Sequence, residues 1–243
     1  RVPSIAFSML GMFLLFRLMQ LTIGQRAATF GLIYYAFAPT SIYFGRVLMS
    51  EPAMLALSIA FIYFFFLYTR RGSTFLWFAA ALSASLAFLV KLPTLHLGIP
   101  ALFIAHRRNG WAALRRWDLW AMAFFTLAPA VLYYHHAHVN IGPHYFTVGV
   151  GFGGKMWFNW RQFLSPSAWS LMTQRLLKDH LTAVGFALLL LGLFYRRPGA
   201  ALFRWWLAAV LLYIVVVWGG NVRQTYYPVS YTHLRAHETS LHL

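Results

Sequence analysis

Cysteine is absent from the 243 residues, and acids are scarce: four Asp and Glu stand against 20 Lys and Arg, a formal net charge of +16. Without cysteine there is no disulfide and no thiolate metal site. With so few carboxylates no glycosidase-type acid pair forms, because Asp118 and Asp179 each stand alone in the chain. No Gly-x-Ser-x-Gly elbow and no zinc-protease helix motif occurs. The stretch 149–154, GVGFGG, lacks the Gly-Lys-Ser/Thr ending of a phosphate loop. It reads instead as a flexible outer loop that could close over substrate. Charged residues make up only 10 % of the chain. Soluble domains carry about 25 %.

What replaces charge is apolar surface. Hydrophobic residues reach 60 % and aromatics 19 %, and the mean hydropathy is +0.62. That is the composition of a polytopic membrane protein. The large positive charge does not imply nucleic acid, because no polar basic face accompanies it. Its arginines cluster in short gaps between apolar runs, which is the positive-inside pattern.

A helix needs about 20 apolar residues to cross the hydrocarbon core, and backbone polar groups in lipid must be satisfied within the segment. The runs 4–23, 27–43, 53–68, 74–90, 119–134, 181–195 and 205–218 are therefore expected to be helices. A further run, 92–105, carries Pro93 and Pro100 and is expected to be kinked or incomplete. The fold class is all-α, a transmembrane bundle of about eight membrane helices with one longer outer loop, 135–180. Alternating the sides places Arg26, Arg70, Arg71, Arg107, Arg108, Arg115, Arg116, Arg196, Arg197 and Arg204 together, on the expected cytoplasmic side. The other side holds Arg46, Glu51, Lys91, the long loop and Arg223.

Glu51 is the only carboxylate in the first 117 residues, and it lies at a membrane edge in FGRVLMSEP, 44–52. An ionisable group there is costly unless it is paired or used. A plain Arg46–Glu51 pair capping two helices explains it as well as a functional role does. Lys91 ends a run of seventeen apolar residues. It either snorkels to the headgroups or offers a point charge to a lipid phosphate. His96 lies between Lys91 and Pro100 and is either a packed histidine or a substrate contact. Arg223 precedes Tyr226 and Tyr227 in NVRQTYYP, 221–228. The two tyrosines serve as an interfacial anchor or as ring faces for a sugar. His135, His136, His138 and His144 cluster without a carboxylate, so no metal-ligand set is assigned.

The order GRVLMSEP (45–52), apolar helix, Arg70-Arg71, second helix, Leu89-Val90-Lys91 resembles the bacterial polytopic GT-C glycosyltransferases. These are relatives of protein O-mannosyltransferases and of the aminoarabinose transferase that modifies lipid A. The late basic-Tyr-Tyr-x-Pro pattern at 223–228 is similar to theirs as well. The resemblance implies a sugar carried on a polyprenyl phosphate and moved, by direct displacement at the anomeric carbon, to a lipid, glycan or protein acceptor. The active face is then extracytoplasmic, in a multi-pass protein of the bacterial inner membrane, with membrane lipids as partners and no nucleic acid. No cofactor is required by it, and room is left for a divalent metal.

Carried residue by residue, Glu51 matches the second acidic position of that family. Lys91 matches a lipid-phosphate contact, with Arg46 beside it. Arg223, Tyr226 and Tyr227 match the late motif facing the same cavity, and His96 joins the substrate-binding candidates. The family's principal carboxylate lies in a first outer loop, which is expected upstream of residue 1. Residues 1–228 are thus expected to be a partial domain, lacking an N-terminal helix, that loop and a C-terminal part, and inactive by itself. Residues 229–239, VSYTHLRAHET, resemble a translated sequencing adapter, so 229–243 is expected to be a non-native tail. Two other classes compete: a transporter or flippase of lipid-linked sugars, which calls for mid-membrane charges and inverted repeats, and a membrane scaffold.

Overall fold

The computed structural model describes residues 2–46, 49–141, 157–194 and 197–223, apart from the side chains of residues 44–46, 179, 180 and 223. Among the described residues every regular element is helical. The first is α1 (Val2–Ile23). The apolar run 27–43, expected as one helix, is two: α2 (Gln25–Phe37) and α3 (Pro39–Arg46). The break falls at Ala38, whose backbone is extended (φ −62°, ψ 132°). A residue preceding proline is pushed out of the helical region by the pyrrolidine ring.

The helix α4 (Glu51–Arg71) follows. Pro52 sits in its first turn, where a missing N–H costs nothing. The helix stops at Gly72, which adopts a left-handed conformation (φ 69°) and donates its N–H to the Tyr68 carbonyl at 2.8 Å. Only glycine takes that conformation without penalty. Next comes α5 (Thr74–Val90). The expected interruption in 92–105 is a 3-10 helix, Leu92–Leu97, leading into α6 (Gly98–Asn109). A second 3-10 turn, Gly110–Arg115, leads to α7 (Trp117–His136). The remaining elements are α8 (Trp160–Phe163), α9 (Pro166–Gln174), a π-helical stretch Arg175–Leu181, α10 (Thr182–Phe194), α11 (Ala200–Val216) and α12 (Trp218–Arg223).

Two described helices, α1 and α4, are long and apolar enough to cross a membrane. The pair Pro166–Lys178 and Thr182–Phe194, bent by 94°, makes a third if counted as one broken span. Thr74–Val90 and Ala200–Val216 are apolar but shorter, at 17 residues each. The expected count of about eight spans is not reached by this measure among the described residues: Pro39 divides the run 27–43, a 3-10 turn shortens the run 92–105, and α5 and α11 stop at 17 residues.

The bundle is built around α4. In its most apolar stretch 61 % of residues are buried, against 22 % in α1. Phe61, Ile62, Phe65 and Tyr68 of α4 pack with Leu18 of α1, Ala80, Ala84 and Phe88 of α5, Ile104 of α6, Met122 of α7 and Leu202 of α11. The helix α5 shows the sorting most clearly. Its inward face is Ala80, Ser83, Ala84 and Ala87, while Phe75, Phe78, Leu82 and Leu86 point outward. In water this would be inside out. In lipid, apolar transfer does not favour burial, so close backbone approach through small residues decides which face turns in.

Candidate functional site

The short turn after Gly72 makes α4 and α5 antiparallel, so the start of α4 and the end of α5 meet. There Lys91 Nζ forms an ion pair and hydrogen bond with Glu51 Oε1. The partners lie 40 residues apart in sequence. Each owes its position to a helix end. Glu51 occupies the first turn of α4, where the helix dipole favours an anion. Lys91 is the extended residue (φ −153°, ψ 117°) that closes α5, with its N–H donated to the Ala87 carbonyl at 3.0 Å. Its own carbonyl accepts from the Thr94 amide at 3.1 Å and the Thr94 hydroxyl at 2.7 Å. The backbone on both sides of the lysine is therefore held.

The two side chains are mostly sheltered, with Lys91 28 % and Glu51 18 % exposed. The carboxylate is only half satisfied. Glu51 Oε2 is buried and has no hydrogen-bond partner among the described residues. A buried carboxylate oxygen left without a donor is expensive, on the order of 1–3 kcal/mol. It marks a place where a donor from a bound molecule would be accepted.

The other candidates divide. His96 lies in the 3-10 helix that follows Lys91. Its Nδ1–H donates to the Pro93 carbonyl at 2.8 Å, and its ring stacks on Tyr213 of α11 with centroids 5.7 Å apart. That is the packed reading, and it makes His96 a strut. Tyr213 Oη in turn donates to Asn221 Oδ1 at 3.4 Å, in α12. The helix α12 ends at Arg223, so this chain of contacts brings the backbone of Arg223 to the same end of the bundle as Glu51 and Lys91. Arg46 ends α3. The side chains of Arg46 and Arg223, and the whole of Tyr226, Tyr227, His144 and the 149–154 loop, lie outside the described residues. Among the described residues no three His, Asp or Glu side chains converge on a common point.

Residues that the sequence did not single out hold α12 in place. Arg175 donates to the carbonyls of Asn221 at 2.8 Å and Val222 at 3.3 Å. Trp218 is fully buried against Phe163 and Trp169. The stretch that carries α8 and α9 is thus fastened to the segment just before Arg223. Arg175 stands among other polar and charged residues, 173–180, so nothing nearby in sequence singles it out or names its partners.

A second charged cluster lies at the opposite end. Arg116 grips Asp118 with two guanidinium nitrogens, Nη2 to Oδ2 at 2.7 Å and Nε to Oδ1 at 3.1 Å. The Tyr68 hydroxyl also donates to Asp118 Oδ2, and Trp77 Nε1 donates to the Asp118 carbonyl at 2.9 Å. Arg116 further donates to Asn109 Oδ1 at 3.3 Å. Asp118 and Arg116 precede the apolar run 119–134. Hydrogen bonding to Arg116 first, and to Tyr68, holds the Asp118 carboxyl below its ordinary value, against the opposing effect of burial. The same carboxylate raises the Arg116 guanidinium. Glu51 and Arg70 lie 19 residues apart on α4, so the two ends are separated by about 28 Å at 1.5 Å per residue. The open cavity of about 340 Å³ between the helices belongs to the Arg70 end, away from the Glu51–Lys91 pair.

A family model described as dolichyl-phosphate-mannose-protein mannosyltransferase matches residues 1–135, more than half of the chain. That span includes the Glu51–Lys91 pair and the Asp118 cluster. No curated protein and no solved structure matches the chain.

Proposed function

The chain belongs to the dolichyl-phosphate-mannose-protein mannosyltransferase family, and from that membership we propose that it is the core of a membrane glycosyltransferase. In this reading a sugar moves from a polyprenyl-phosphate donor to an acceptor hydroxyl at the extracytoplasmic face, with inversion. The apolar runs in α2–α3, α5, α6, α7, α10 and α11 cross the membrane beside α1 and α4, bringing the total to about eight spans. The observation that carries the proposal is the sheltered Glu51–Lys91 pair with one carboxylate oxygen still unmatched.

The chemistry divides between the two side chains. The acceptor oxygen forms a bond to the anomeric carbon as the bond from that carbon to the phosphate oxygen breaks. The phosphate leaves with the electron pair. A cation fixed beside it offsets the charge as it develops, and does so without reorganising. Lys91 is that cation, as a compact point charge. The proton of the acceptor hydroxyl passes to a carboxylate. The principal carboxylate of this family falls in a first outer loop. Glu51 supports it from the second acidic position, accepting a hydroxyl of the bound substrate at Oε2. Arg223, Tyr226 and Tyr227 complete the donor side, and Arg46 flanks Glu51. His96 acts at one remove, by bracing the 3-10 helix on Tyr213.

The test is transfer of labelled sugar from a polyprenyl-phosphate donor by full-length protein in membranes. Glu51→Gln and Lys91→Ala are each expected to abolish transfer at unchanged expression. Full activity in both variants overturns the site. Translocation of the lipid-linked sugar across reconstituted vesicles, without transfer, would favour the flippase class instead.

A further inference from the structure

The cavity at the arginine-rich end takes no part in the reading above. It measures about 340 Å³ and lies among the ends of α1, α4 and α6 and the start of α11. Its polar lining is dominated by three guanidinium groups, Arg70, Arg107 and Arg108, and no carboxylate of the described residues lines it. The hydroxyls of Thr22 and Thr69 are turned away, each donating to a carbonyl of its own helix. The floor is apolar: Phe66, Phe103, Ile104 and Leu202. Arg70 is held over the Phe66 ring, its guanidinium carbon 4.3 Å from the centroid. Phe103 is stacked in turn on Trp205 at 5.9 Å. The two sides of the cavity are locked together at Gly199, where a Cβ would meet the Thr22 carbonyl oxygen at 1.9 Å. Glycine there permits the contact by its size alone.

We propose that this cavity binds a phosphate-bearing lipid headgroup, with the phosphate among Arg70, Arg107 and Arg108 and the glycerol region on Phe66 and Phe103. Three positive groups with no acid of the described residues facing them suit a phosphodiester. The level in the bilayer suits a lipid. Trp111, Trp117 and Trp120 are exposed at this end, by 79 %, 79 % and 61 %, as tryptophans are at the headgroup level. Basic pockets between membrane helices capture anionic headgroups in this way. An apolar floor beside the guanidiniums distinguishes such a site from a simple charged rim.

The experiment places full-length protein in phosphatidylcholine nanodiscs and titrates phosphatidylglycerol, reading bound lipid by native mass spectrometry. Replacing all three arginines (Arg70→Gln, Arg107→Gln, Arg108→Gln) is expected to weaken retention roughly a hundredfold, about fivefold for each charge. Arg71→Gln, a neighbouring exposed arginine outside the cavity, is expected to change retention less than twofold. Arg107→Gln alone, on an exposed side chain, supplies an intermediate value should the triple variant fold poorly. Wild-type retention in the triple variant, or in Arg107→Gln when that is the only variant to fold, overturns the proposal. An equal loss in Arg71→Gln also overturns it, by showing diffuse attraction. Displacement of the lipid by excess inorganic phosphate overturns the headgroup assignment and leaves a free-phosphate site.

Discussion

The chain carries an ion pair at each end of its central helix, and they are built on opposite principles. At one end both carboxylate oxygens of Asp118 are engaged, by two contacts from Arg116 and one from Tyr68, and its backbone carbonyl accepts an indole N–H. At the other, Glu51 has one oxygen on Lys91 and one buried without a partner among the described residues. A carboxylate with both oxygens already engaged has less capacity to spare for a ligand and serves to lock helices together. A half-satisfied one retains acceptor capacity at a cost in stability. Two ion pairs of the same formal type thus separate into a clasp and a site, and the difference lies in the count of donors around the acid.

The sharpest way to break this contrast is activity. Glu51→Gln and Lys91→Ala are expected to lower sugar transfer by more than about 100-fold in full-length protein, as loss of a charge contact made in the transition state does. Asp118→Asn is expected to leave transfer within about threefold when measured on the folded fraction. If Asp118→Asn is the inactive variant, the roles are reversed. The exchanged double variant Glu51→Lys with Lys91→Glu sharpens the point. It should recover thermal stability relative to either single change while transfer stays absent.

Stability is expected to rank the other way. Asp118→Asn removes an acid serving three donors on its side chain, so a loss of about 2 kcal/mol is expected, allowing for partial exposure. For a chain of this size that is about 4–8 °C in Tm, read by thermal unfolding in detergent. Glu51→Gln should shift Tm by less, since the Glu51 side chain accepts from one donor where Asp118 accepts from three. Equal losses at both ends would erase the distinction.

Acid gives a third comparison. Asp118 is held below its ordinary value of 3.8 by Arg116 and Tyr68. A carboxylate depressed on folding contributes stability that is fully present above the unfolded value and fades as pH falls through the folded one. Tm in detergent should therefore fall as the pH drops below about 4, and the Asp118→Asn variant should show a shallower acid limb than wild type. An unchanged limb would remove Asp118 from the clasp. The smallest effect expected is Trp77→Phe, which deletes only the indole donor to the Asp118 carbonyl and should cost about 1 kcal/mol.

Much of the fold was legible because lipid imposes a simple rule on apolar runs. The run 74–90 is the helix α5 residue for residue, and the proline-bearing run 92–105 is interrupted as expected. The run 27–43 misled, since its length suggested one helix while Pro39 divides it. The site was legible in its members but not in its pairing. Glu51 stands out as a lone acid and Lys91 as a lone cation at a helix end. The near neighbour in sequence, Arg46, was one of two open readings for Glu51, and its side chain lies outside the described residues; Lys91, 40 residues away, is the partner observed for Oε1. The Tyr68–Asp118 and Trp77–Asp118 contacts were invisible, because nothing in a tyrosine or tryptophan of an apolar helix announces an acceptor 41 to 50 residues on.

Composition and spacing alone determined that this protein is helical and lives in a membrane, and that its few charges gather at helix ends. Those are consequences of desolvation, which acts on each residue whatever its neighbours. Which charges meet, which oxygen stays unmatched, and where a cavity opens were decided only by packing. Small residues on the inner face of α5 set how closely it approaches α4, and that approach aligns the helix ends. Pairing depends on that alignment to within a few tenths of an ångström, and only the assembled bundle contains it.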